Sequence, residues 1–181
     1  MRIIAGKHRG RVLKEFDGKD IRPTSDRARE ALFNIFSGKV PDSSFLDLFS
    51  GTGAVGIEAI SRGANFVVMV DIRRESVDLI KKNLALVKEN ATVVNKDGID
   101  YLNSLNRKFD FIFIDPPYNS DLGYKALETI GKRKLLALNG FAIFESDKEC
   151  EEIPLLIKTS VRRYGKNVFN IFTAEATDEN D

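Results

Sequence analysis

With 181 residues, of which 43% are hydrophobic and 30% charged, the sequence is typical of one folded domain with a sizeable core. Its apolar runs are shorter than the roughly 18–20 residues of a membrane span, and its basic start lacks the apolar segment of a secretory signal. A single cysteine, Cys150, excludes an internal disulfide and is typical of a reducing compartment, so we expect a cytoplasmic protein without a membrane anchor.

The formal net charge is +1, but the charges are unevenly distributed. Residues 1–14 contain five lysines or arginines and no acid, whereas residues 174–181 contain four acids and no base. Arginines spaced through a glycine-containing segment are typical of phosphate binding, so we predict that Arg9 and Arg11 bind nucleic acid. We predict that the acidic end is a solvated tail.

The chain begins with a predicted hairpin and a predicted helix. Apolar pairs and two glycines within residues 3–13 favour a short hairpin that carries basic side chains. A helix is predicted over residues 24–38, with a hydroxyl cap at its start and a glycine at its end. Arginines crowd the start of this helix, and we interpret Arg22, Thr24 and Arg29 as part of a binding lip for an anion or RNA.

Strands and helices alternate from residue 45 onwards. The predicted strands cover residues 45–49, 66–70, 92–94, 109–114 and 141–145, and the predicted helices cover residues 54–62, 75–90, 100–105 and 124–135. A turn is predicted at Asn139 and Gly140, and strands at residues 157–163 and 168–173 form a closing hairpin around Gly165. This order predicts a doubly wound α/β fold, with a mostly parallel seven-stranded sheet that ends in an antiparallel hairpin.

We predict a single domain over residues 1–181. It consists of a basic extension over residues 1–39, a sheet-containing core over residues 40–173 and the acidic tail over residues 174–181. The sequence shows no internal repeat or linker that would divide the chain further.

A glycine-rich turn follows the first strand of the core. Residues 51–56, Gly-Thr-Gly-Ala-Val-Gly, fit the G-x-G-x-x-G pattern that lets the backbone approach a ligand between a strand and a helix. Asp71 ends the next strand about 20 residues later, where such sites hold a ribose hydroxyl. Taken alone, this pair is also typical of NAD binding.

Two further acids favour a different cofactor. Asp47 precedes the turn, where a carboxylate repels pyrophosphate but accepts hydrogen bonds from the ammonium group of S-adenosylmethionine (SAM). Asp97 and Gly98 follow the third strand, where they suit the amine and the ring of adenine, and Phe49 either lines the pocket or packs in the core. The predicted SAM site consists of Asp47, Phe49, Ser50, Gly51, Thr52, Gly53, Asp71, Ile72, Asp97 and Gly98. No metal ligand is predicted.

The fourth strand ends in Asp115, Pro116, Pro117 and Tyr118. Proline cannot continue a strand ladder, and the residue before a proline is held extended, so this segment is stiff. It projects a carboxylate, carbonyl oxygens and an aromatic ring from the carboxyl end of a strand, where open α/β sheets bind ligands. We predict that these four residues form the catalytic segment.

The sequence resembles the SAM-dependent methyltransferases with a Rossmann-type fold. Residues 47–53 resemble their first motif, and Asp71 and Asp97 match the acids that bind ribose and adenine. Residues 115–118 match the (Asp/Asn/Ser)-Pro-Pro-(Tyr/Phe/Trp) motif of members that methylate planar exocyclic amines. The resemblance implies that the motif's acid and the following carbonyl accept the two amine N–H groups, while Tyr118 stacks on the base. A base inside a duplex must be flipped out to reach such a pocket.

Three segments resemble one subgroup more closely, at residues 2–11, 22–34 and 163–166. This subgroup is the RsmD-like family, bacterial methyltransferases that modify the N2 amine of a guanine in small-subunit (16S) ribosomal RNA. The resemblance implies a cytoplasmic enzyme that acts during ribosome assembly, on RNA partly covered by ribosomal proteins. Nothing in the sequence demands more than a monomer.

The residues themselves leave alternatives open. The Asp-Pro-Pro-Tyr motif does not separate guanine N2 from adenine N6, cytosine N4 or a glutamine amide. A DNA adenine-N6 methyltransferase is one alternative, although the chain has little room for a target-recognition domain. An NAD-dependent oxidoreductase is opposed by Asp47, and a non-catalytic RNA-binding assembly factor is opposed by the intact Asp115 and Tyr118.

Overall fold

The computed structural model describes residues 1–16 and 26–175. Its helices are α1 (Asp26–Ile35), α2 (Ala54–Ser61), α3 (Arg74–Val87), α4 (Gly98–Ser104) and α5 (Leu122–Lys132). Its strands are β1 (Ser44–Leu48), β2 (Phe66–Asp71), β3 (Thr92–Asn95), β4 (Phe109–Ile114), β5 (Leu136–Ser146), β6 (Leu156–Tyr164) and β7 (Asn167–Ala174).

One seven-stranded sheet contains all of these strands, in the order β3-β2-β1-β4-β5-β7-β6. The first five strands run parallel, and β7 pairs antiparallel with both β5 and β6. The predicted α/β fold and its closing antiparallel hairpin are therefore confirmed. The division of the chain into an extension, a core and a tail stays a prediction.

The core lies in two layers, one on each face of the sheet. The central strand β4 shows why, because Phe111 and Phe113 point into one hydrophobic cluster and Ile112 and Ile114 into the other. Helices α1, α2 and α3 cover the first cluster, and α4 and α5 cover the second. A strand buried on both faces is continuously apolar rather than alternating, which is the pattern of residues 111–114.

The predicted turn at residues 139–140 is wrong in one respect, because β5 runs through it. The register with β4 jumps from the pair Phe109–Leu136 to the pair Phe111–Phe141, so residues 137–140 form a bulge opposite a single residue. Asn139 has a positive φ of 60° there. The Asn-Gly pair therefore supplies the backbone freedom of a β-bulge inside a strand instead of a turn before it.

The N-terminal segment forms the expected short hairpin, with an antiparallel bridge between Arg2 and Val12. It packs on α2, where the backbone N–H groups of Ile4 and Ala5 donate to the carboxylate of Glu58 at 2.8 and 3.0 Å. Over the ranges that the structure describes, no helix is long and apolar enough to cross a membrane.

Candidate active site

Strands β1 and β4 end side by side at the carboxyl edge of the sheet. Leu48 pairs with Ile114, so the glycine turn after β1 and Asp115 after β4 begin at the same level. From β1 the chain continues to β2 on one side, whereas β4 lies on the other side. The crevice between them is thus the switch point at which open α/β sheets bind ligands. The two motifs identified in the sequence meet in this crevice.

The turn after β1 contains residues in the left-handed region. Phe49, Gly51 and Gly53 have φ values of 65°, 54° and 77°. A Cβ atom on Gly51 would meet no atom within 4 Å, whereas one on Gly53 would lie 2.9 Å from Ile80. Gly51 therefore presents its backbone to open space where a ligand can approach, and Gly53 allows α2 to begin close to α3.

Ser50 and Thr52, two of the predicted cofactor residues, take part in holding the turn itself. The Ser50 hydroxyl donates to the Asp47 carbonyl at 2.6 Å and accepts from the Val70 N–H at 2.9 Å, which joins the ends of β1 and β2. Thr52 is buried, and its carbonyl accepts from the Asn83 side-chain amide at 3.1 Å. Their part in cofactor binding stays a prediction.

Asp47 lies beneath the crevice and is only 2% exposed. Its Oδ2 accepts a hydrogen bond from the Gly56 N–H, at the start of α2, at 2.9 Å. Burial raises the pKa of this carboxyl from 3.8 to about 8, and the nearby carboxylates of Asp115 and Asp71 add to the increase, while the Gly56 hydrogen bond opposes it. A cation placed above the crevice would favour the ionised form.

Asp71 joins the ends of two loops. Its Oδ2 accepts from the Gly51 N–H at 2.9 Å and its Oδ1 from the Arg73 N–H at 2.8 Å. A carboxylate has about four acceptor sites, so these hydrogen bonds leave room for the predicted ribose hydroxyls. Ile72 beside it is 65% exposed and supplies an apolar surface.

Asn95, which the sequence interpretation missed, secures the loop that follows β2. Its side-chain amide donates to the carbonyls of Asp71 and Ile72, at 3.0 and 2.8 Å. Its position in register with Asp71 on the neighbouring strand gives it this reach.

Asp97 and Gly98 have structural roles that the sequence interpretation did not include. The Asp97 Oδ1 caps α4 by accepting the N–H groups of Ile99 and Asp100, at 2.9 and 3.0 Å. A Cβ on Gly98 would lie 2.8 Å from the Phe49 ring, so the glycine makes room for that ring. Their interactions with adenine stay predictions.

An open cleft of about 200 Å³ lies at the end of β4. Its walls are residues 115–120 on one side and residues 144–148 at the end of β5 on the other, with Tyr124 between them. Tyr118 is 62% exposed at the rim. The volume is below the roughly 300–1,000 Å³ of sites for drug-sized ligands, so the cleft suits a single flat ring.

The floor of the cleft is an aromatic pair. The rings of Tyr124 and Phe144 meet edge to face, with centroids 5.8 Å apart. Gly123 allows this arrangement, because a Cβ there would lie 2.3 Å from the Phe144 ring.

Asn170, fully buried in β7, holds the loop after β5. Its Oδ1 accepts from the Cys150 N–H and its Nδ2 donates to the Ser146 hydroxyl, both at 2.9 Å. Burial also raises the pKa of the Cys150 thiol to about 11, which supports an inert cysteine. No local pattern pointed to Asn170, because its partners lie 20 and 24 residues away.

The basic N-terminal hairpin has its tip towards the amino ends of the strands, whereas its open end reaches the glycine turn, where the Asn83 amide donates to the carbonyls of Lys14 and Thr52. Lys7 and His8 both lie 2.7 Å from Glu89, and Arg11 donates to the Leu86 carbonyl at 2.9 Å. These partners lie at the end of α3, which begins at the carboxyl edge and spans about 21 Å at 1.5 Å per residue. RNA bound by Arg9 and Arg11 would therefore touch the protein far from the crevice.

The prediction that Arg29 binds RNA is wrong. The side chain is 0% exposed, donates to Asp26 at 3.0 Å, and its Nε lies 3.6 Å from the buried Glu58. Glu58 also accepts from Arg62 at 2.8 Å, so the arginine belongs to a buried ionic cluster that joins α1 to α2. Arg22 and Thr24 lie outside the described residues.

Comparison with known proteins identifies the family. The family model described as "Conserved hypothetical protein 95" matches residues 1–173. The chain belongs to this family. Ribosomal RNA small subunit methyltransferase D of Escherichia coli (strain K12) is 33% identical over 185 residues, covering 100% of this chain and 93% of that protein. The predicted family resemblance is confirmed.

Solved structures agree with this placement. The structure of yhhF from Escherichia coli superposes with a TM-score of 0.87 at 32% identity, covering 98% of this chain and 99% of that one. SMU.776, complexed with SAH, has a TM-score of 0.63 at 19% identity, covering 81% of this chain and 48% of that one, and shows the fold alone. The likeness to yhhF thus extends over almost the whole chain.

Proposed function

We propose that this protein transfers the methyl group of SAM to the N2 amine of a guanine in 16S ribosomal RNA. The observation that carries the proposal is the position of the Asp115–Tyr118 segment. It leaves β4 at the same level at which the open glycine turn leaves β1, so an acceptor cleft and a cofactor crevice share one edge of the sheet. The name of the relative from Escherichia coli supports small-subunit ribosomal RNA as the substrate.

The residues on the β1 side fit SAM. The open face of Gly51 suits the carboxylate of SAM. Asp71 has acceptor capacity left for the ribose hydroxyls, and the exposed Ile72 offers an apolar surface to the adenine. The buried carboxyl of Asp47 beneath them ionises more readily beside a cation than beside an anion, which favours the positively charged SAM over the pyrophosphate of NAD. SAM bound there supplies an electrophilic methyl group.

The residues on the β4 side would prepare the amine. The lone pair of an exocyclic amine is delocalised into its ring, so the amine needs orientation before it can react. Asp115 would accept one N–H and the Pro116 carbonyl the other, which aims the nitrogen at the crevice. Tyr118 would stack on the base, an interaction that contributes about 1–3 kcal/mol. The proton released after transfer passes to Asp115 or to water.

The narrower parts of the proposal have separate support. Guanine N2 rests on the likeness of residues 2–11, 22–34 and 163–166 to the subgroup with that specificity. An open cleft of about 200 Å³ suits one exposed loop nucleotide more than a base stacked inside duplex DNA. We expect the protein to act as a monomer in the cytoplasm, on partly or fully assembled small subunits.

The proposal is tested by methyl transfer from radiolabelled SAM to stripped ribosomes, partly assembled small subunits and duplex DNA, followed by nucleoside identification. We expect label in N2-methylguanosine of 16S ribosomal RNA. Label in N6-methyladenine of DNA would establish the DNA methyltransferase instead. Tight binding of NADH without binding of SAM would identify an oxidoreductase, and SAM binding without transfer to any substrate would indicate a non-catalytic factor.

A further inference from the structure

We propose that the turn between β6 and β7 binds the phosphate backbone of the RNA beside the acceptor cleft. This inference rests on the proposed function and assigns a second binding surface to the same site. We call the surface the hairpin tip and define it as residues 162–166, Arg-Arg-Tyr-Gly-Lys, all of which are exposed. The tip is one of the segments that carry the family likeness, but none of its residues takes part in the proposed methyl transfer.

The sheet topology places the tip at the carboxyl edge. Strand β5 runs towards that edge and ends at Ser146, which pairs with Val168 near the start of β7. The pair Tyr164–Asn167 closes the hairpin one residue further out. The Asn167 side-chain amide donates to the carboxylate of Glu145, which lines the acceptor cleft. The tip and the cleft therefore share a wall.

The tip carries three cations that the described part of the protein does not neutralise. No ion pair within residues 1–16 and 26–175 involves Arg162, Arg163 or Lys166. The charges of Asp147 and Lys148, both exposed in the neighbouring cleft wall, offset each other. The cleft lining also contains the carboxylates of Asp115 and Glu145, so the positive charge is confined to the tip beside the cleft, where it attracts a polyanion.

The basic N-terminal hairpin differs from the hairpin tip both in its distance from the cleft and in the pairing of its cations. Its Lys7 is paired with Glu89 and its Arg11 is bonded to the Leu86 carbonyl, at the far edge of the sheet. Lys7 and Arg11 are thus partly used within the protein and lie remote from the cleft. The hairpin tip is the better placed of the two basic surfaces to hold nucleotides that flank the target base.

The tip is also stiff. Its two-residue turn has Gly165 at φ 62° in the first central position, as in a type II′ hairpin turn. The Tyr164 ring packs against the buried Phe169, with centroids 6.0 Å apart. A preorganised surface loses little conformational freedom on binding, and arginine matches phosphate through two parallel hydrogen bonds. A nucleotide whose base enters the cleft would carry its own phosphates towards this surface.

The test compares two double variants. Arg163→Ala with Lys166→Ala removes two charges from the tip, and Lys81→Ala with Lys108→Ala removes two exposed charges that lie away from the cleft. Binding of a fluorescently labelled stem–loop of 16S ribosomal RNA is measured by anisotropy between about 50 and 200 mM KCl. Methyl transfer to small subunits and SAM affinity are measured in parallel.

We expect the tip variant to lower the salt slope by about 1 for each phosphate that it no longer binds, and to raise KM for small subunits without changing SAM affinity. The control variant should match wild type. An unchanged salt slope of RNA binding in the tip variant, or equal decreases of the slope in both variants, would overturn the inference. The proposed function would still stand in that case, provided that the wild-type protein methylates RNA. Absence of methyl transfer by wild type would instead defeat the proposed function, and the inference with it. If the double variant does not fold, Arg163→Gln supplies the same readout.

Discussion

Asp47→Asn tests the electrostatics of the crevice. The carboxyl is almost fully buried, and its pKa is raised from 3.8 to about 8. Between these values the folded protein holds a proton that the unfolded chain has released, so the free energy of unfolding falls as pH rises. The contribution of the protonated Asp47 to the free energy of unfolding is complete below about pH 4 and is lost as pH rises through about 8. The slope in that window is about 1.4 kcal/mol per pH unit.

Asparagine is neutral throughout this range and has nearly the same shape. Its amide oxygen can still accept the Gly56 N–H that Asp47 binds at 2.9 Å. The variant should therefore lack the pH dependence that the acid contributes. Between pH 5 and pH 7 the free energy of unfolding of the variant, measured relative to that of wild type, should rise by about 3 kcal/mol. Because a cation in the crevice would favour the ionised acid, the variant should also bind SAM more weakly while being more stable.

The assay is urea unfolding of both proteins at several pH values from 5 to 8, with isothermal titration of SAM at pH 7.5. Asp121→Asn is a suitable control, because Lys125 lowers the pKa of the exposed Asp121 below its ordinary 3.8. Its titration lies below the pH range of the assay, so its slope should match that of wild type. Parallel stability profiles for wild type and Asp47→Asn would refute the account of the buried acid.

Three further predictions concern the scaffold and the RNA. Glu58→Gln breaks a buried ionic cluster and should cost about 3–5 kcal/mol in urea unfolding, and a decrease below about 1 kcal/mol would contradict this role. Gly123→Ala places a methyl group 2.3 Å from the Phe144 ring, so it should lower the free energy of unfolding by about 1–3 kcal/mol and raise KM for RNA but not for SAM. Unchanged values would show that the floor of the cleft adapts to the methyl group. Arg9→Ala with Arg11→Ala should weaken RNA binding and reduce its salt slope, and an unchanged slope would leave these arginines a structural role.

The order of elements could be predicted because it depends on local patterns. The run at residues 109–114 is apolar except for Asp110 and is followed by Asp115 and two prolines, and the strand in the structure covers the same residues. The glycine turn also lies between the predicted strand and helix, since its spacing is a property of neighbouring residues. Local patterns of this kind position the two motifs without any knowledge of distant partners.

Long-range partners explain what the sequence interpretation missed. Arg29 has the local pattern of a surface cation, although its partner Glu58 lies on another helix. One signal was present: Glu58 stands in an otherwise apolar helix, and a buried acid requires a buried partner. Asn95 and Asn170 carry no comparable signal, because a polar residue within a strand does not reveal which loop its side chain will hold.

Asp115→Ala tests the central claim most directly, because it removes the amine acceptor and keeps every residue that lines the cofactor crevice on the β1 side. Single-turnover methyl transfer to small subunits and equilibrium binding of SAM should be measured on the same preparation. We predict that methyl transfer falls by about 100-fold or more, while SAM affinity stays within about twofold of wild type. Near-normal transfer by Asp115→Ala would contradict the assignment of the cleft beside β4 as the acceptor site.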